Sequence, residues 1–494
     1  MNGFQIVASR LELARARATR VLASPRRVSA LFAAAFVALA IVHMQSVGAV
    51  YPSSGVGIAA WGSRQSNLWI LAPQAVILTF LFAVYLLVLL GWENLRFSPT
   101  QVLRMGLCAG ATAALALPSN SWDLFAYVGF GRMSVIHGLN PYVTSYTQIA
   151  DSYSPYGWAS GYMNYGPVVL PAFMAAGLVS EFSVLAALYL LKVLWLAVHL
   201  CAAWALSRVL KDAGLDPGYG VFLFMLNPLL LFELIVNGHN DGLMILFATL
   251  AVGALQRGRH TAALLIALLG ALVKFPGVVL YATTAVFLIR QRRWRSLASG
   301  VAGSILAVVG VVLLFFPDVR SALVLLDRTP GNSVYADVVN VMSQGGAAPH
   351  DVMLLRGGLQ LALMVALAVF CVWRLTKIDD FGGVVRETSY IMLATLVVFQ
   401  GSLYPWYVTW VFPFVALLGS ARTRYVVLLY SWTILGGYYL YPPLRSAELF
   451  QGSVVGRQLR RLLVHGVLVG LVAGRALRPT RRPLARWSLL GSGR

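Results

Sequence analysis

The chain has 494 residues, of which 59% are hydrophobic and only 11% charged. A soluble globular protein carries about 25% charged residues, and here apolar runs of roughly 15–25 residues recur along the whole length, which excludes a soluble domain and leaves no place for the short alternating segments of a porin-like barrel. The formal charge of +21 is no sign of a nucleic-acid partner, because the basic residues fall in short clusters between apolar runs, the positive-inside pattern of a multi-pass membrane protein.

In chain order, six arginines precede Val28 and predict a basic cytoplasmic N-terminus over 1–27. The apolar run that follows is too long for a cleaved signal peptide and predicts a retained helix over about 29–49. A second helix returns at about 68–91, so that 28–100 forms a two-helix N-terminal addition, and a third runs outward at about 102–118. The stretch "SNSWDLFAYVGFGRMSVIHGLNPY" then brings Asp123 out on the extracytoplasmic side, at the start of a long loop (119–165) rich in Tyr, Gly and Pro. "YGPVVLPAFMAAGLVS", from Tyr165, is short for a crossing and holds two prolines, which suits an interfacial or re-entrant helix. Helices are predicted next at about 182–206, 219–236 and 242–256.

Residues 261–289 are apolar but bounded at both ends by arginines, so both ends belong in the cytoplasm. Two halves of about 14 residues at 1.5 Å each reach only about 20 Å, short of a roughly 30 Å hydrocarbon core. A hairpin with Lys274 at its tip follows, placing the ammonium at depth in a cavity open to the outer side. This hairpin closes a core over 101–290 whose outer loop is 119–180. A C-terminal bundle over 291–475 holds helices at about 297–316, 358–374, 388–403, 406–420, 425–441 and 459–475, and a basic tail occupies 476–494. The total is about 13–14 transmembrane helices in an all-α polytopic protein of a bacterial plasma (inner) membrane.

Few polar residues interrupt this pattern. Asp123 has Tyr127 one turn on, with Arg132 and His137 beyond; by position it is either a functional acid or a solvated or capping carboxylate at a helix end. "NGHNDG" sets His239, Asn240 and Asp241 at another outer helix end, either as a polar turn with Asp241 as the cap or as hydrogen-bonding groups for a sugar or phosphate. Glu233, two turns inside Asp241, is suited to pair with a buried cation. Only four of the 38 basic residues are lysines, and Lys192 and Lys274 lie too deep in apolar segments to snorkel easily; a cation facing a cavity suits an anion such as a lipid phosphate. "QGSLYPWYVTW", from Gln400, gathers aromatics around Pro405, either as an interfacial belt or as the wall of a sugar or prenyl pocket. The three cysteines all lie in apolar runs and indicate neither a disulfide framework nor a metal site.

Together, "WDLFAYVGFGR…HGLNPY", "YGPVVLP", "NPLLLFELIVNGHNDGLM", "LVKFPGVVLY" and "YPWYVTWVFP" over about 100–420 resemble the GT-C glycosyltransferases, and among them the actinobacterial polyprenol-phosphate-mannose-dependent α-1,6-mannosyltransferases of lipomannan assembly. Some members carry two adjacent acids at the catalytic position, where Trp122 and Asp123 stand here. The resemblance implies a GT-C fold with interfacial helices in the first outer loop of the core, a polyprenyl-phosphate sugar donor, a glycan or glycolipid acceptor and inversion to an α linkage. It implies Asp123 as catalytic base and Lys274, then Lys192 and Arg132, as donor-phosphate groups. Tyr127, His137, Asn140, Tyr142, Tyr165, His239, Asn240, Asp241, Tyr404 and Trp406 are the expected sugar and acceptor contacts, with no cofactor and no required metal. A polytopic transporter or lipid-linked glycan flippase is the alternative.

Overall fold

A computed structural model describes residues 20–44, 68–119, 121–153, 161–316, 349–396, 404–418 and 421–436. Among these residues every regular element is helical. The predicted last crossing at 459–475, the basic tail and residues 317–348, between two predicted helices, lie outside them. The chain opens with α1 (Pro25–Met44) and α2 (Leu68–Leu90). α1 buries Val28, Phe32, Phe36 and Leu39, a stripe at helical spacing, and packs against α2 and α3 (Pro99–Leu115). α3 begins ahead of residue 102 because Ser98 and Gln101 form a reciprocal capping box, with Pro99 in the first turn.

The loop expected over 119–165 begins instead with a buried helix, α4 (Asp123–Val135). Gly129 and Gly131 disguise it in the sequence, since glycine is a poor helix former. A Cβ on Gly131 would lie 1.7 Å from the Phe173 carbonyl oxygen, and one on Gly177 would lie 2.6 Å from the Arg132 amide. Small residues therefore let α4 and α5 (Leu170–Val179) meet backbone to backbone. α5 is the expected short segment, entered through a 3-10 turn at Pro167–Val169.

α6 (Val184–Asp212) is the longest helix at 29 residues. The straight helix expected over 219–236 is broken into α7 (Pro217–Met225) and α8 (Pro228–Val236), bent by 43°. Pro228 withdraws a backbone donor at the break, and the Asn227 side chain accepts from the Leu229 amide. The rest of α8, Leu231–Val236, winds as a π-turn. α9 (Asp241–Gln256) then packs between α6 and α10 (His260–Val273).

The predicted hairpin is present. α10 and α11 (Val278–Arg290) pack together across a turn at Phe275–Gly277, and a Cβ on Gly277 would lie 2.5 Å from backbone atoms of Gly270 and Ala271. The chain doubles back around Lys274. The Gly166 amide donates to the Val273 carbonyl at 3.0 Å, which docks the segment before α5 on the hairpin tip.

Beyond it lie α12 (Trp294–Phe315), α13 (Pro349–Leu375), α14 (Phe381–Ala394), α15 (Pro405–Leu417) and α16 (Ala421–Leu435). α14 starts before 388 because Asp380 caps it through the Gly383 amide. Leu354, Leu361, Val365, Val369 and Val372 of α13 are exposed apolar residues. Among the described residues five helices are long and apolar enough to cross a membrane, or six with α7–α8 taken as one span. The other expected crossings fall on helices shorter than 18 residues (α3, α9, α10, α11, α14, α15 and α16), on the broken α7–α8, or outside the described residues.

Candidate active site

Asp123 is the first residue of α4, where the helix dipole favours a carboxylate. Its side chain does not cap the helix. Tyr165 Oη donates to its Oδ2 at 2.9 Å, His239 Nδ1 lies 3.1 Å from the same oxygen, and Tyr127 Oη donates to it at 3.4 Å. Oδ1 has no hydrogen-bond partner among the described residues, and the side chain is 13% exposed. One oxygen is thus fixed by three donors while the other is left without a partner among the described residues.

His239 is held from its other side. Its Nε2 lies 3.3 Å from Glu233 Oε2 and 3.3 Å from Ser121 Oγ, and both His239 and Glu233 are fully buried. Burial alone would drive Asp123 up and His239 down. The bond and the charge between them oppose this: Asp123 ends below its ordinary value, helped by the charge of Lys274 and the Tyr165 hydroxyl, while Asp123 and Glu233 together raise His239 to about 9. Asn237 Nδ2 also donates to Glu233 Oε2, at 2.9 Å. Asn237 Oδ1 accepts from the Ser119 amide, and Ser119 Oγ donates to Gln74, which touches His43. The polar chain therefore reaches α1 and α2.

Lys274 faces the same pocket. Its ammonium lies 2.9 Å from both oxygens of the buried Asp241, and Trp410 Nε1 donates to Asp241 Oδ1. The rings of Tyr407, Tyr165 and Trp410 surround the ammonium at 5.0, 5.7 and 5.8 Å. Tyr165 is the shared wall, since its hydroxyl binds Asp123 while its ring faces Lys274. Asp241 opens α9, as expected of a helix-end acid, but its carboxylate is taken up by Lys274 and Trp410.

Trp406 stacks on His239 at 4.0 Å and on Tyr404 at 4.4 Å. Both its faces are covered, so a sugar ring has no free face of Trp406 to lie on. Asn240 is fully buried, and both polar atoms of its side chain lack a partner among the described residues. Its backbone N–H donates to Tyr127 Oη at 3.4 Å, which sets it one step from Asp123.

The remaining expected residues lie apart. Lys192 donates to the carbonyls of Ala116, Ile235 and Val236 at 2.6, 3.1 and 2.5 Å, so its three protons are spent on backbone and none is left for a phosphate. Arg132 makes a forked pair with Asp151 at 2.8 and 2.7 Å and pairs with Glu181, while His137 lies 3.3 Å from the same Asp151. This cluster braces the chain after α4. Asn140 Nδ2 donates to the Phe315 carbonyl at 2.7 Å, and Tyr142 Oη to the Tyr165 carbonyl at 3.0 Å; both shape the segment that delivers Tyr165. Tyr407 and Trp410 are the site residues that sequence reasoning left unassigned, while Glu233, expected to pair with a buried cation, lies against His239. An acid inside an apolar run marks Glu233, whereas nothing in the sequence pairs Trp410 with a carboxylate 169 positions away. Among the described residues no group of three or more His, Cys, Asp or Glu side chains is placed to hold a metal.

An all-helical multi-pass chain with a half-open acid beside short helices has the fold of the GT-C glycosyltransferase class. The family described as "Alpha-(1->6)-mannopyranosyltransferase, N-terminal domain" matches residues 25–290, more than half of the chain, and the chain belongs to that family. The matched region takes in α1 and α2. Alpha-(1->6)-mannopyranosyltransferase A of Mycobacterium tuberculosis is similar at 24% identity over 334 residues, covering 63% of this chain and 64% of that relative, a little under two thirds of its length.

Proposed function

We propose that the protein is an integral-membrane inverting mannosyltransferase. It moves mannose from a polyprenyl-phosphate donor to a glycan or glycolipid acceptor on the extracytoplasmic face of the plasma membrane, forming an α-1,6 linkage. The observation that carries this reading is Asp123, with Oδ2 fixed by Tyr165, Tyr127 and His239 and Oδ1 left without a partner among the described residues, in a chain whose family is described as an α-1,6-mannopyranosyltransferase.

Asp123 Oδ1 takes the proton of the acceptor hydroxyl as that oxygen attacks the anomeric carbon. The bond from the anomeric carbon to the phosphate oxygen breaks, its electron pair leaves with the polyprenyl phosphate, and attack from the opposite face turns a β donor into an α product. Lys274 faces the charge that develops on the departing phosphate, steadied from behind by Asp241 and Trp410. Asn240, with its backbone N–H on Tyr127 Oη and its side-chain amide unpaired among the described residues, is suited to a sugar hydroxyl. No divalent metal enters this sequence of events.

The test is transfer from labelled polyprenyl-phosphate mannose by purified protein. Asp123→Asn is expected to lose about 10²–10⁴-fold in rate, the usual worth of a general base, with normal expression and melting temperature. Full activity in that variant would reject the base.

A further inference from the structure

The mechanism above uses Asp123 but leaves Glu233 unexplained. A fully buried acid sits inside an apolar helix, in the π-turn of α8. π-turns are rare and are found mostly at functional sites. This one closes with the Asn237 amide on the Phe232 carbonyl at 2.9 Å, and it brings Glu233 Oε2 within 3.3 Å of His239 Nε2. The opposite ring nitrogen lies 3.1 Å from Asp123 Oδ2. A neutral imidazole donates from one nitrogen only. Bridging two carboxylates as a donor to both therefore requires imidazolium.

Resting on the assignment of Asp123 as base, we propose that Glu233 is a positioning residue for sugar transfer: it holds His239 as imidazolium, whose Nδ1–H fixes Asp123 Oδ2 and so turns Oδ1 to the acceptor hydroxyl. Asn237 Nδ2 steadies the same Glu233 oxygen, and through Ser119 and Gln74 the support extends to α2. The other charged or titratable groups facing this unit are Tyr127 of α4, Tyr165 before α5, Asp241 of α9 and Lys274 at the hairpin tip. None of them contacts His239 Nε2, so Glu233 is the one carboxylate that holds that side of the ring among the described residues.

The experiment measures kcat and kcat/KM against pH for the full-length protein in detergent, together with the 15N signals of the His239 ring. The wild-type ring is expected to stay protonated up to about pH 9, and the alkaline limb of kcat/KM to follow it. In Glu233→Gln the ring loses a neighbouring negative charge. Its titration and the alkaline limb should then move down by about one pH unit or more, while the acid limb, where the ring is protonated in both proteins, stays in place. kcat falls more than the donor KM rises. Glu233→Asp keeps the charge and should recover most of the alkaline limb. A merely structural role would lower stability without moving the alkaline limb. An unchanged limb and ring signal in Glu233→Gln would overturn the proposal. If that variant does not fold, the wild-type ring alone decides, because titration at the ordinary imidazole value would overturn it equally. Activity in Asp123→Asn would instead unseat the base, while the ring signal would still report on Glu233.

Discussion

Asn240 illustrates how a transferase site can cost stability. A buried amide with no partner is unfavourable by about 1–3 kcal/mol, and both polar atoms of this side chain are in that state among the described residues. Asn240→Leu keeps the branched shape and removes the unsatisfied atoms. It is expected to raise the melting temperature by a few degrees while raising the KM for the sugar substrates, both readable on one preparation. A lower melting temperature with unchanged KM would mean that Asn240 serves the fold alone. Lys274 stands differently. Three carboxylates, Asp123, Glu233 and Asp241, share the site with two cations, Lys274 and protonated His239, so under the proposed function a donor phosphate would enter a neighbourhood already rich in negative charge. It would share the Lys274 ammonium with Asp241, an arrangement that rewards the transition state, where phosphate charge grows, more than the bound ground state.

At the scale of elements, Lys192 ties the chain just after α3, through the Ala116 carbonyl, to the end of α8, through Ile235 and Val236. These two ends flank Ser119 and Asn237, so the lysine holds together the strut under Glu233. Lys192→Met is expected to cost about 2–4 kcal/mol, since it strips buried carbonyls of their donor, seen as a lower melting temperature with the donor KM little changed. A many-fold rise in donor KM without loss of stability would return Lys192 to the phosphate site. The same residue marks a limit of sequence reading. A lysine deep in an apolar run announces that something unusual surrounds it, but backbone carbonyls leave no signature, and a phosphate was the natural guess. The hairpin around Lys274 was legible because its flanking arginines and its length are both in the sequence. α4 was not, because Gly129 and Gly131 argue against a helix until their contact with α5 is known.

The whole molecule joins distant stretches in one pocket. Asp123, Tyr165, Glu233, His239 and Lys274 all fall within the region 25–290 that the family match covers, yet Trp406 and Trp410 come from α15, beyond it. Acid, histidine and lysine could be picked out from their apolar surroundings. The pairing of Trp410 with Asp241 could not, since it depends on how α15 meets α9. Trp410→Phe keeps a ring beside the Lys274 ammonium and removes only the indole N–H. With Asp241 then held by Lys274 alone, transfer is expected to drop by roughly tenfold, the worth of one hydrogen bond of about 1.4 kcal/mol to a charged group, in the same assay. Unchanged transfer would make the indole a packing residue. The double-sided burial of Trp406 carries one more consequence. With His239 against one face and Tyr404 against the other, Trp406 has no ring face to offer a carbohydrate, and its part in the site is to fix the tilt of the imidazole.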